Sequence, residues 1–132
     1  MKQVIVGNYS MGCDDVQIVL REGDGGEFWT HPEVGAIARV KVGAAHTWNE
    51  LVGVLLHEVI ELQMTRLGYR LTPAPDYAKD NGSYVFLMTH TQFSEVVARC
   101  ADCIAPALPD LATAFKKFHR KRKNNLVKKT KT

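Results

Sequence analysis

The sequence predicts an α+β fold, in which a small mixed or antiparallel N-terminal sheet is followed by a buried helix and two further helices. Three observations lead to this prediction. Short apolar segments separated by glycine fill the first third of the chain. A long segment with helical capping residues follows from Thr47, and two segments with apolar residues at helical spacing come after residue 89. The 132 residues are enough for one domain with its own core.

The composition of the chain is typical of a globular domain and does not suggest a membrane or secreted protein. The chain is 45% hydrophobic and 23% charged, which is typical of a globular domain, and no apolar stretch approaches the length of a membrane span. The first residues lack a signal-peptide pattern, and three cysteines do not suggest a disulfide framework. We therefore expect a cytoplasmic protein without membrane contact. The sequence gives no indication of its oligomeric state.

The positive charge is concentrated at the end of the chain. The net charge is +3, but residues 116–132 contain no acidic residue and many lysines and arginines. We therefore predict that residues 1–115 form the domain and that residues 116–132 form a basic tail, in part disordered. A basic tail attracts phosphates and acidic surfaces. Its candidate contacts with nucleic acid or an acidic protein are Arg120, Lys121, Arg122 and Lys123.

The first third of the chain is predicted to form four strands. Gly23-Asp24-Gly25-Gly26 tolerates positive φ and predicts a turn, so the strands on either side of it are expected to form a hairpin. Alternation of apolar and polar residues supports the last strand. The predicted strands are Val4–Val6, Val16–Arg21, Glu27–Thr30 and Val34–Val42.

The best-defined helix is predicted to begin after Thr47 and to end before Gly68. Thr47 and Glu50 have the spacing of a capping box. Apolar residues cover most of the helix circumference, which predicts a helix buried nearly all round. Burying ionisable groups is costly unless they are paired or bind a metal, so the remaining polar sector marks a candidate site. That sector contains Glu50, His57, Glu58, Glu61 and Thr65.

The remaining part is predicted as a loop over residues 69–83, an apolar strand over Tyr84–Met88, and two helices. Thr89 and Gln92 have capping-box spacing, which places His90 in the first turn. Pro106 and Pro109 are expected to break this helix. A third helix is predicted from Asp110 to about His119, followed by a fraying end. Cys100 and Cys103 have zinc-ligand spacing, but without a second pair they are interpreted as small core residues.

His57 and Glu61 have the spacing of two ligands of one metal ion. They are four residues apart, so on a helix they lie on one face, one turn apart. Glu58 is rotated by about 100°, where it can reach a metal-bound water without binding the metal. In zinc hydrolases some side chains bind the metal, and a separate glutamate accepts the proton of the metal-bound water. The alternative is an i,i+4 pair on a solvated stripe.

The segment Leu56-His57-Glu58-Val59-Ile60-Glu61 resembles the His-Glu-x-x-His motif of zincin metallopeptidases, with Glu61 replacing the second histidine. Over about residues 34–105, the wider pattern looks like that of small zincin-like proteins encoded by phages and bacteria. The resemblance implies one Zn²⁺ held by His57, Glu61 and His90. It also implies that Glu58 is the general base.

The same resemblance implies a peptide or protein substrate. The strand Val34–Val42 would be the sheet edge that aligns this substrate by strand addition, and a phage-encoded protein would act in the host cytoplasm. Arg39 and Lys41 on this strand, and His46 just before the helix cap, are candidate substrate contacts.

Three functions are compatible with these patterns. The first is a zinc-dependent peptidase or amidase. The second is a zincin-like binding protein without chemistry, acting on a host protein or nucleic acid. The third is a magnesium-dependent nucleotide pyrophosphatase, because Glu58 and Glu61 together with Glu95 and Asp102 are faintly similar to the acidic helices of MazG-like pyrophosphatases. The strand-rich first third and His57 disfavour the third function.

Overall fold

The computed structural model describes residues 2–12, 14–30, 37–71 and 85–131 and confirms the predicted α+β class. A four-stranded sheet comes first, and the two described helices follow it. Within the described ranges, neither helix has the length and apolar character that a membrane crossing needs. In chain order the elements are β1 (Gln3–Met11), β2 (Asp14–Arg21), β3 (Gly26–Trp29), β4 (Ala38–Gly43), α1 (Trp48–Arg66), β5 (Arg70–Leu71), β6 (Val85–Phe86) and α2 (His90–Thr130).

The main sheet is mixed, with strand order β1-β2-β4-β3. β2 is antiparallel to β1 and parallel to β4, and β3 is antiparallel to β4. The predicted hairpin between the second and third strands is therefore wrong, because β4 lies between them. Ile18, Val19 and Leu20 are all buried. A strand that is apolar on both faces is typical of the middle of a sheet, and β2 takes a neighbour on each side.

β4 is an internal strand, so the expectation that Val34–Val42 forms the sheet edge is also wrong. Residues 34–36 of that prediction lie outside the described residues. β4 is paired with β2 on one side and with β3 on the other. Ala38, Val40 and Val42 are buried between the sheet and the helices. The edge on this side of the sheet is β3, in the part of the chain that the structure describes.

Both helices pack on the same face of the sheet. α1 contacts β3 and β4, whereas α2 contacts β1 and β2. The predicted capping boxes are present at both helices, with Thr47 and Glu50 at the start of α1, and Thr89 and Gln92 at the start of α2. The layer between helices and sheet is the core, whose largest fully buried apolar side chains are Met11, Val16, Ile18, Leu20, Val40, Val42, Leu51, Leu55, Val59, Leu62 and Leu111.

α1 is buried on one side only, which corrects the prediction of a helix buried nearly all round. Leu51, Leu55 and Leu62 are fully buried, whereas Leu56 is 38% exposed. The sheet covers one face of α1 and α2 lies beside it, whereas Gly53, Leu56 and His57 on the outer side are exposed. Leu56 and Ile60 instead line an apolar groove that they share with α2.

α2 is one continuous helix, where the sequence predicted a break at Pro106 and Pro109 and a third helix ending near His119. Proline in a helix removes one hydrogen bond and costs about 3 kcal/mol. Here one apolar stripe continues across both prolines, so packing against the sheet offsets this cost. Cys100 and Cys103 are core residues as predicted, and burial raises the pKa of each thiol to about 11. The buried stripe consists of Val96, Cys100, Cys103, Ile104, Ala107, Leu111 and Phe118.

Two neighbouring leucines of α1 provide a test of its packing. Leu55 is fully buried and Leu56 is 38% exposed. We expect Leu55→Ala to lower the free energy of unfolding by about 2–5 kcal/mol, because it removes buried methyl groups and leaves a cavity. Leu56→Ala is the matched control, and it should lower the free energy of unfolding by well under half as much as Leu55→Ala does. Urea unfolding measures both, and equal losses would contradict the orientation of α1.

Pro106→Ala tests the continuity of α2. In a continuous helix, alanine restores the missing backbone donor and removes the clash with the preceding turn, so the free energy of unfolding should rise by roughly 1–3 kcal/mol. The same experiment on Pro109→Ala should give a rise of the same sign. Urea unfolding followed by circular dichroism provides the measurement. A loss of stability in both variants would indicate a break between two helices.

Candidate functional site

His57 and Glu61 form the centre of the candidate site on α1. The helix places them one turn apart, and His57 Nε2 lies 3.1 Å from Glu61 Oε2. The His57 side chain is 70% exposed, whereas that of Glu61 is only 17% exposed. The pair predicted from the i,i+4 spacing therefore forms, with the imidazole toward solvent and the carboxylate against the protein.

Arg70 is a third member of this group, and the sequence did not single it out. Its Nη1 lies 3.1 Å from Glu61 Oε1, and its guanidinium lies 5.9 Å from the centre of the Phe28 ring. Gly68 has a φ of 76°, and this left-handed conformation turns the chain back after α1. Arg70 thereby returns to the side of the helix it has just left. Each oxygen of Glu61 has a nitrogen partner as a result.

Glu58 lies under the start of β3 and is 8% exposed. A Cβ atom on Gly26 would lie 2.8 Å from Glu58 Cγ and 2.7 Å from Val54 Cγ1, so only glycine fits there. Burial raises the pKa of the Glu58 carboxyl, and the charges of Glu61 and Glu27 raise it further, although His57 acts in the opposite direction. The site thus contains a carboxyl that binds a proton more readily than glutamate does in water.

Two open clefts meet at His57. The first has a volume of about 590 Å³ and lies between β3 and α1. The second has a volume of about 520 Å³ and lies on the other side of His57. His57 lines both clefts and therefore lies at their junction. The first is lined by Gly25, Gly26, His46, Glu50, Gly53, Val54, His57 and Glu58, and the second by His57, Ile60, Glu61, Met64 and Phe86.

His46 lines the first cleft, and its ring contacts both the loop before β3 and the first turn of α1. The Gly25 backbone N–H donates to His46 Nε2 at 2.7 Å, so Nε2 is the acceptor in this hydrogen bond. His46 Nδ1 lies 3.8 Å from Glu50 Oε2. The hydrogen bond from the Thr47 backbone N–H to Glu50 lowers the pKa of that carboxyl. One cleft therefore contains Glu50, with a lowered pKa, and Glu58, with a raised one.

Arg39 and Lys41 do not share the cleft with His46. Their neighbours Ala38, Val40 and Val42 are buried toward the helices, so alternation directs Arg39 and Lys41 to the other face of the sheet. There Arg39 Nε donates to Gln17 Oε1 at 2.9 Å, and Lys41 Nζ lies 4.8 Å from the centre of the Trp29 ring. The structure thus separates two of the three residues predicted to contact substrate from the cleft around Glu58.

His90 is the first residue of α2, as predicted, and it is exposed. Among the residues that the structure describes, no three histidine, cysteine, aspartate or glutamate side chains form a group that could hold a metal. His57, Glu61 and His90 therefore do not come together as a zinc site here, and the ligand set stays a prediction. Glu95, a candidate magnesium ligand, is bound by Arg99.

The predicted basic contacts lie on the last turns of α2. Arg120, Lys121, Arg122 and Lys123 are all exposed. They do not all lie on one side of the helix. Arg122 lines a cleft of about 520 Å³ with Lys2 and Glu22.

Comparisons with known proteins add no family to this description. No protein-family model, no curated protein and no solved structure matches the chain. The candidate function therefore depends on the residues and geometry of the chain itself.

The raised pKa of Glu58 gives a stability prediction. Since the folded pKa is above the unfolded one, Glu58 favours folding at low pH and loses this contribution as pH rises through the folded pKa. We expect Glu58→Gln to increase the free energy of unfolding at neutral pH. The gain should shrink to nothing below about pH 4.3, the ordinary pKa of glutamate.

Urea unfolding across this pH range measures the effect. Asp102→Asn is the control, because Asp102 is exposed on α2 and its substitution should change stability little at any pH. A Glu58→Gln variant that is less stable than the wild type at neutral pH would contradict the burial of an unfavourable charge.

Proposed function

We propose that the chain is a metal-dependent hydrolase of peptide or amide bonds, with its site at His57, Glu58 and Glu61. The observation that carries the proposal is the Glu58 carboxyl. It is buried, its pKa is raised by burial, and it lies in the cleft beside the His57–Glu61 pair. Carboxyls with a raised pKa in a cleft are candidates for groups that transfer protons in catalysis.

The position of β3 supports a peptide as the substrate. β3 is the edge of the sheet in the described residues, so one side of its backbone is available for strand addition. Gly25 and Gly26, at the start of this strand, line the cleft with Glu58. A peptide paired with β3 would run past Glu58 and His57. β3, and not the internal strand β4, would therefore be the edge that aligns the substrate.

His57 and Glu61 match the chemistry of zinc ligands in part. Imidazole nitrogen and carboxylate oxygen are both zinc donors, and these two atoms are close enough to bind one ion. The described residues provide no third donor beside them. When bound, zinc supplies a water of lowered pKa. Of the chain's own residues, Glu58 would accept a proton from the attacking water, and Arg70 would orient the Glu61 carboxylate.

A binding protein without catalysis is the second candidate. Its specific support is the ion pair between Arg70 Nη1 and Glu61 Oε1, which engages one oxygen of a predicted metal ligand. Such a protein would bind an extended peptide along β3 in the same cleft. Both candidates predict peptide binding, and they differ in metal content and turnover.

Metal content and turnover test the proposal. We expect the protein, purified without a histidine tag, to contain about one zinc ion per chain, with His57 and Glu61 as two of its ligands. His57→Ala and Glu61→Gln should lose this metal, and His90→Ala should lose it if His90 is the third ligand. Glu58→Gln should keep the metal and lower peptide hydrolysis by at least about 100-fold.

Glu95→Gln is the matched control for Glu61→Gln, since both glutamates are paired with an arginine on or beside a helix. It should leave metal content and turnover unchanged. A wild-type protein that binds no zinc at all would refute the metal-dependent mechanism. Peptide binding without turnover, equal in wild type and Glu58→Gln, would establish the second candidate.

A further inference from the structure

The last turns of α2 carry a dense positive charge that the proposed hydrolase site does not use. Residues 116–131 belong to a helix that the structure continues to Thr130, and the segment has no acidic side chain. From residue 120 to residue 131 every residue is exposed. A segment with many cations and no acidic side chain of its own attracts counterions from solution, or a polyanion.

Most of these cations lie on one side of the helix. At about 100° per residue, seven of them fall within an arc of roughly 160°, and we call this arc the basic face. All seven side chains are exposed. The basic face consists of Lys116, Lys117, Arg120, Lys121, Lys123, Lys128 and Lys131.

The opposite side of the same turns holds the helix on the protein. Phe118 is buried, and Lys2 Nζ lies 4.5 Å from the centre of its ring. His119 Nε2 lies 3.1 Å from the carbonyl oxygen of Ala44. These contacts fix the rotation of α2 about its axis. The basic face is therefore presented to solvent by a helix that is already formed and anchored.

We propose that the basic face binds the phosphate backbone of duplex DNA, with the helix lying in or along the major groove. The major groove of B-form DNA is about 12 Å wide and admits one α-helix. Lysine and arginine on an exposed helix face can then reach phosphates on both sides of the groove. A folded helix loses little conformational entropy on binding, which favours this arrangement over a disordered tail.

Other nucleic acids match this surface less well. Binding of single strands usually requires exposed aromatic rings that stack on the bases. The aromatic rings here are turned inward, since Phe118 is buried and Phe115 lies 5.9 Å from Trp48 and 4.4 Å from His119 between ring centres. The major groove of A-form RNA is too deep and narrow for a helix. The surface therefore favours duplex DNA.

Fluorescence anisotropy with the full chain and a labelled DNA duplex of mixed sequence tests the proposal. The affinity should fall steeply between about 50 and 200 mM salt, with a log–log slope of at most about 6 if all seven cations contact phosphates. Arg120→Gln combined with Lys121→Gln should weaken binding by about tenfold or more near 100 mM salt. It should also reduce the slope by about 2.

Arg39→Gln combined with Lys41→Gln is the matched control. It removes the same charge from the outer face of the sheet and should change the affinity less than threefold. Glutamine is a good helix former, and circular dichroism checks that α2 is retained in the helix variant. Equal losses in the two double variants would overturn the proposal, because only net charge would then matter.

Three further outcomes would overturn it. The first is that the protein does not bind duplex DNA even at about 50 mM salt. The second is that it binds single-stranded DNA or duplex RNA more tightly than duplex DNA. The third is that it binds anionic lipid vesicles but not DNA. None of these measurements depends on zinc or on Glu58. The DNA proposal and the hydrolase proposal can therefore fail independently.

Discussion

The packing of one face of α1 against the sheet is the constraint on which the candidate site depends. Leu55, Val59 and Leu62 are fully buried and recur at helical spacing. Once they enter the core, the rotation of the helix is fixed. His57 then points to solvent, and Glu58 points under β3. The apolar residues of α1 thus determine which polar residue reaches water and which does not.

The site combines groups whose electrostatic effects oppose each other. Burial, Glu61 and Glu27 favour the protonated form of Glu58, whereas His57 favours the charged form. Arg70 binds the Glu61 carboxylate and so offsets part of its charge. The proton affinity of Glu58 therefore depends on charged residues of β3 and α1. A single substitution at any of these positions should alter it, without touching Glu58 itself.

Local signals in the sequence predicted local structure well. The two capping boxes, the stop at Gly68 and the His57–Glu61 pair are each set by residues within a few positions of one another. The spacing of apolar residues also identified Cys100 and Cys103 as core residues. These features depend on the 3.6-residue period and on side-chain hydrogen bonds to the nearby backbone.

Features set by distant contacts were not predictable. The order of strands is set by contacts between residues far apart in the sequence. The residues of the turn after β2 do not indicate that β4 lies between β2 and β3. Arg70 reaches Glu61 only because the chain reverses at Gly68. Pro106 carries a true local signal for a helix break, but the apolar stripe of α2 offsets it. The local tendency of proline to end a helix is outweighed at this position by the packing of the apolar stripe against the sheet.

The shortness of β3 has a consequence for the water structure around Glu58. With four residues and a single strand partner, β3 is the least supported strand of the main sheet, and such elements open most often in native-state fluctuations. Each opening would move Gly26 away from the Glu58 carboxyl and let water reach it. The hydrogen-exchange rates of the β3 amides and the hydration of Glu58 should therefore change together.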